Sequence, residues 1–67
     1  MIAVTINGEA RELEATVSLE QLLDRLGLAG KKLALERNGE IVPRSRFGAE
    51  AVHDGDRLEI VVAVGGG

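Results

Sequence analysis

A strong β-strand pattern, LEIVVAV, runs from Leu58 to Val64, and the glycines of the tail, Gly65–Gly67, follow it directly. Aliphatic and β-branched residues favour strands, whereas glycine carries no side chain and adopts backbone angles that other residues avoid. Three extended residues span roughly 10 Å. We therefore expect a folded domain over residues 1–64 and a flexible tail over 65–67, which holds the carboxylate of Gly67 away from the domain.

Alternate residues of this strand lie on opposite faces of a sheet. Leu58 and Ile60 are assigned to the core, so Val61 and Ala63 lie on the other face, next to the tail. A sheet covered by a single helix leaves that face open to water, where apolar residues indicate docking. The alternatives are that the segment 44–52 covers Val61 and Ala63, or that they only favour the strand. These two residues are candidates for partner binding.

Two Asn-Gly pairs predict β-hairpins. Asn7-Gly8 and Asn38-Gly39 tolerate the positive φ angles of a type I′ turn. The first pair lies between an alternating apolar strand and a charged arm typical of a sheet edge. The second precedes a short strand that Pro43 ends. The predicted strands cover residues 2–6, 10–15, 32–36, 40–42 and 58–64.

A helix is predicted from Leu19 to Leu26. Ser18 occupies the N-cap position, and Gln21 lies three residues later to complete a capping box. Val17 is expected to pack against Leu22 as a hydrophobic staple. Leucines then recur at helical spacing, and Gly27 is the expected residue after the C-cap. The predicted core contains Ile2, Val4, Ile6, Leu13, Leu19, Leu22, Leu23, Leu26, Leu33, Leu35, Leu58, Ile60 and Val62.

The segment 44–52 is irregular by pattern, with Phe47 and Val52 as its expected anchors on the core. A turn over 53–56 then leads into the last strand. His53 and Asp54 are adjacent there, but the chain has no cysteine nucleophile, and neither of its serines has a base nearby in sequence. We therefore interpret His53 as a loop histidine, and the lack of a nucleophile constellation argues against a free-standing hydrolase.

Composition narrows the function further. The chain has 67 residues, a net charge of −3, no cysteine and one aromatic residue, Phe47. These numbers argue against nucleic-acid binding, which favours positive charge and aromatic stacking. A solvated surface explains the nearby basic residues better than an anion-binding site does; these residues are Lys31, Lys32, Arg44 and Arg46. No apolar stretch approaches membrane-spanning length. We expect a soluble, cytoplasmic protein that binds other proteins.

Acidic residues suggest no metal site. Asp54 and Asp56 flank Gly55 as in part of a calcium loop, but the later glutamate of such a loop is missing. A turn into a strand accounts for both carboxylates. We therefore predict that the chain binds no metal.

The order of these patterns is typical of a β-grasp domain. Three parts of the chain carry a more specific resemblance: the run Asn38-Gly39-Glu40-Ile41-Val42-Pro43-Arg44, the Gly55-Asp56 pair before the last strand, and the glycine end. Together they resemble the ThiS family of ubiquitin-like sulfur carriers. The resemblance covers the whole chain. The third glycine departs from the family pattern and leaves open which residue aligns with the family's penultimate glycine.

This resemblance implies an α+β fold in which one main helix packs on one face of a small mixed sheet. It also implies that a ThiF-type, E1-like enzyme adenylates Gly67 with ATP and that a desulfurase system supplies sulfur for a thiocarboxylate. Gly65 and Gly66 form the narrow approach to that group. A ThiG-type thiazole synthase then accepts the sulfur for thiamin. The chain would be a co-substrate with no bound cofactor.

Two other functions fit the same residues. The small subunit of molybdopterin synthase ends in a similar way, and a ubiquitin-like interaction module needs no chemistry at its terminus. A disordered glycine tail without a role is the corresponding alternative for residues 65–67. A carboxylate with a pKa of about 3.5 is ionised at neutral pH and is a poor electrophile, so sulfur chemistry at Gly67 requires prior activation.

Overall fold

The computed structural model describes residues 1–63, which form one five-stranded sheet, one α-helix and one short 3-10 helix. The elements are β1 (Ile2–Ile6), β2 (Glu9–Leu13), α1 (Leu19–Arg25), β3 (Leu33–Arg37), β4 (Glu40–Val42), the 3-10 helix (Arg44–Arg46) and β5 (Arg57–Val62). Parallel pairing joins β1 to β5, and the other neighbouring strands are antiparallel. The order across the sheet is β2-β1-β5-β3-β4, which puts the last strand in the centre.

Both predicted hairpins are confirmed. Asn7 and Gly8 have φ angles of 51° and 83°, and Asn38 and Gly39 have φ angles of 53° and 87°. The charged arm is the sheet edge that the pattern predicted, but it ends at Leu13 instead of reaching residue 15. Leu13 pairs with Ile2, the first residue of β1, so the arm has no strand partner beyond it.

The helix begins as predicted and ends one residue early. Ser18 Oγ accepts a hydrogen bond from the Gln21 amide at 3.0 Å, and Gln21 Oε1 accepts one from the Ser18 amide at 2.9 Å. Leu26 is the C-cap, and Gly27 follows with a φ of 75°. The Gly27 amide donates to Asp24 O, three residues back, which tightens the last turn.

The core lies between α1 and one face of the sheet. Phe47 and Val52 are buried as predicted, and they attach the irregular segment to the helix. Val17, which was expected to pack against Leu22 but was not among the predicted core residues, is also buried. Its carbonyl accepts from the Val52 amide at 2.8 Å, which joins the residue before the N-cap to the irregular segment. The buried core residues are Val4, Ile6, Val17, Leu19, Leu22, Leu23, Leu35, Phe47, Val52, Leu58 and Ile60.

Five residues predicted for the core are only partly buried. They lie at strand ends, on the edge strand or after the helix, where fewer neighbours cover them. The core is therefore concentrated in the middle of the sheet. The partly buried residues of the predicted core are Ile2, Leu13, Leu26, Leu33 and Val62.

The last strand is described up to Val62, whereas the pattern predicted a strand to Val64. Val64 and the tail over 65–67 lie outside the described residues. No helix within residues 1–63 combines the length and the apolar character needed to cross a membrane.

Candidate functional site

The candidate site is the sheet face opposite α1, at the end of β5. Val61 is 68% exposed, and Ala63 is exposed as well. The prediction that both residues lie on an open face is confirmed, and the alternative that the segment 44–52 covers them is wrong. Their role in docking stays a prediction.

A shallow hollow lies beside Val61. Val61 pairs with Ala34 of β3, and the Ala63 amide donates to the Lys32 carbonyl at 2.9 Å. The hollow has a volume of about 420 Å³, and its apolar floor lies next to two cationic side chains. It is lined by Lys32, Leu33, Ala34, Arg44, Val61 and Ala63.

Asparagine side chains from both hairpins hold β5 in place. Asn7 Oδ1 accepts from the Ile60 amide at 2.7 Å, and Asn7 Nδ2 donates to Ile60 O at 3.0 Å. This side chain therefore continues the pairing of β5 past the end of β1. The Asn38 side-chain Oδ1 accepts from the Arg57 main-chain amide at 2.9 Å, and the Asn38 main-chain amide donates to Arg57 O at 2.8 Å.

These asparagine contacts were missed by the sequence analysis, which assigned Asn7 and Asn38 only to turns. Glycine could also adopt the turn conformation at both positions, so the presence of asparagine at each of them could have indicated a role for its side chain. Because the central strand is held by both hairpins, the strand leading to the tail has a fixed position in the sheet.

The acidic residues before β5 bind the backbone and a neighbouring turn. Asp54 Oδ1 accepts from the Ala3 amide at 2.7 Å. Asp56 is 7% exposed; its Oδ2 accepts from the His53 amide at 2.8 Å and its Oδ1 accepts from Asn38 Nδ2 at 3.2 Å. These contacts give both aspartates a structural role in the turn. Within residues 1–63, no group of three or more potential metal-binding side chains is found.

The four basic residues considered together in the sequence divide into two groups. Arg46 Nη2 lies 2.7 Å from Glu50 Oε2, and Arg37 Nη2 lies 2.6 Å from Glu50 Oε1. Hydrogen bonds from Arg46 and then from Arg37 lower the pKa of Glu50 below its ordinary value. Arg44 is separate from this cluster. Its Nη2 donates to Lys31 O at 3.0 Å, close to the hollow.

The predicted reactive group, the carboxylate of Gly67, lies outside the described residues, as do Gly65 and Gly66. The structure describes the strand that precedes them and the open face beside it. The described part of the candidate site is therefore an exposed, partly apolar face at the end of β5.

Comparisons with known proteins show which proteins this chain resembles. The model of the ThiS family matches residues 4–67. A sulfur carrier protein ThiS from Escherichia coli is 30% identical over 64 residues, covering 96% of this chain and 97% of that protein. The crystal structure of a thiamine biosynthesis protein (ThiS) from Geobacter metallireducens superposes with a TM-score of 0.84. It has 32% sequence identity and covers 98% of this chain and 100% of its own.

A longer relative is also similar. A thiazole synthase from Paramagnetospirillum magneticum is 52% identical over 64 residues, which cover 96% of this chain. Those residues are only 20% of that relative, so the chain spans a fifth of its length.

Proposed function

This chain belongs to the ThiS family, the sulfur carriers of thiamin biosynthesis, and we propose that it carries sulfur as a thiocarboxylate on Gly67. The observation that carries the proposal is the family match, which runs through the glycine residues to position 67. The residues alone left molybdopterin synthesis open, and the family match favours the thiamin pathway.

The chemistry follows from the properties of a carboxylate. A carboxylate oxygen of Gly67 attacks the α-phosphate of ATP, and pyrophosphate leaves. The resulting acyl adenylate is an electrophile, which the ionised carboxylate is not. The terminal sulfur of a desulfurase persulfide then attacks the carbonyl carbon, and AMP leaves. A second thiol cleaves the S–S bond of the resulting acyl disulfide, which releases the thiocarboxylate on Gly67 and leaves a disulfide on the sulfur donor. In this scheme a ThiF-type enzyme binds ATP, and the present chain is its protein co-substrate.

The fold supports this role by providing a fixed base for the tail. β5 is central in the sheet, and Asn7 extends its pairing as far as Ile60. On the other side, pairing with β3 continues to Val62, and the Ala63 amide adds one further bond. A glycine approach without side chains suits entry into a narrow active site.

A ThiG-type thiazole synthase is the proposed sulfur acceptor. The support for this partner is the relative named thiazole synthase, a fifth of which resembles this chain. Val61 and Ala63 are the proposed docking residues, since both are apolar, exposed and close to the tail.

Intact mass spectrometry of the protein from its own host tests the proposal. We expect a fraction of the chains to carry one sulfur in place of one oxygen, and fragmentation to place that change on Gly67. Incubation with the activating enzyme, ATP and a sulfur donor should increase this fraction, and omission of ATP is the control. A terminal peptide that contains only oxygen under all of these conditions would contradict the proposal.

A further inference from the structure

The open face of the sheet has an ordered arrangement of charge. Near the tail, Lys32 lies beside Ala63, and the next row pairs Ala34 with Val61. Glu36 and Glu59 face each other in the row beyond. Ile41 is opposite Glu36 on β4 and is 68% exposed. From the tail outward, the face is therefore basic, apolar and then acidic, and the exposed Arg57 lies beyond the acidic row on the same face of β5.

The basic end is available to a partner. Lys32 and Arg44 are exposed, and within residues 1–63 neither forms an ion pair shorter than 4 Å. The bond from Arg44 to Lys31 O keeps the guanidinium beside the hollow. The whole chain has a net charge of −3, so this corner has the opposite sign to the molecule that carries it.

The acidic row has an unfavourable pairing in the isolated chain. Glu36 and Glu59 are direct cross-strand partners, and like charges in such positions destabilise a sheet. Neither is in an ion pair among the described residues. A cationic side chain from a partner would relieve this repulsion, while an anionic one would increase it.

We propose that this face docks the thiazole synthase through a complementary order of side chains. The partner presents a carboxylate to Lys32 and Arg44, an apolar side chain to the hollow beside Val61, and a cationic side chain to Glu36 and Glu59. A rotated approach brings like charges together, so the order selects the orientation that directs the tail into the partner. This inference rests on the proposed function, since it assumes the same partner.

A charge-order variant tests the proposal in the full-length chain. Lys32→Glu combined with Glu59→Lys inverts the order but leaves the net charge unchanged. Binding to purified thiazole synthase from the same organism is measured by calorimetry at low and high salt. We expect the double variant to bind at least about tenfold more weakly at low salt, because like charges then meet across the interface. The difference should shrink at high salt.

Three single variants complete the design: Arg11→Glu, Lys32→Glu and Lys32→Gln. Arg11 is the cross-strand partner of Val4, whose side chain is in the core. Because such partners share a face, Arg11 lies on the helix side of the sheet, away from Lys32 and the open face. Arg11→Glu makes the same charge change as Lys32→Glu and should bind within about twofold of the wild type. Lys32→Gln should weaken binding less than Lys32→Glu does. Thermal melting verifies that each variant is folded.

The outcomes separate this inference from the proposed function. If the double variant binds as tightly as the wild type, net charge governs binding and the proposed order is wrong, while the carrier function stands. If all variants bind weakly to the same extent, Arg11→Glu included, the face has no specific role and the inference also fails. If the wild type itself does not bind the synthase, both the inference and the proposed acceptor are wrong.

Discussion

The two faces of the sheet are made from alternate residues of the same strands, but they differ in every physical respect. On the helix side, Leu35, Leu58 and Ile60 are buried against α1. On the other side, Val61 and Glu59 of the same β5 strand are exposed to solvent. The helix side of the sheet therefore accounts for stability, whereas the other side is left available for recognition.

The largest effect is expected on the helix side. Leu22 is 1% exposed, and Leu22→Ala removes buried methyl groups and leaves a cavity. We expect a loss of about 2–5 kcal/mol in the free energy of unfolding, measured by urea denaturation. Val61→Ala is the matched control on the open face and should cost less than about 1 kcal/mol. Equal costs for the two substitutions would remove the distinction between the faces.

A smaller loss of unfolding free energy is expected when the hydrogen bonds from Asn7 to the backbone of β5 are removed. Asn7→Gly keeps the turn conformation but deletes both side-chain hydrogen bonds to Ile60. We expect a loss of about 1–3 kcal/mol because two backbone groups lose their partners. Hydrogen exchange of the Ile60 amide should accelerate more than that of Leu26, whose amide bonds to Leu22 O within the helix region. Equal acceleration of both amides would mean that Asn7 does not hold β5 locally.

Features that depend on neighbouring residues could be predicted from the sequence, whereas contacts between distant residues could not. The Asn-Gly turns, the Ser18 capping box and the leucine helix depend on neighbouring residues, and all were predicted, the end of the helix to within one residue. The hydrogen bond from the Val52 amide to the Val17 carbonyl joins residues far apart in the chain, and no local pattern predicted it.

The candidate site follows the same division. Alternation along the last strand predicted the exposure of Val61 and Ala63. It did not predict that Arg44 lies beside them while Arg46 binds Glu50, because those contacts depend on how the segment after β4 folds back. The positions of charged side chains from different segments require the tertiary structure.

The smallest effect is expected at Glu50, where acid should weaken the protein. Its pKa is lowered in the folded state by hydrogen bonds from Arg46 and Arg37. The ion pairs therefore contribute stability above the ordinary value of 4.5, and this contribution is lost as pH falls through the lower, folded value. The melting temperature of the wild type should exceed that of Glu50→Gln at neutral pH, and the difference should decrease as the pH is lowered below 4.5. A difference that increased in acid would contradict the direction of the shift.

The central claim is that the carboxylate of Gly67 is the reactive group. It is tested most directly by ATP–pyrophosphate exchange with the ThiF-type activating enzyme. Adding one alanine after Gly67 displaces the carboxylate by roughly 3.5 Å and should abolish exchange. Gly66→Val should also fail because its side chain blocks a narrow channel, whereas Gly65→Ala, nearer the domain, should retain more activity. Exchange by the extended chain at the wild-type rate would contradict the claim and leave the protein as an interaction module.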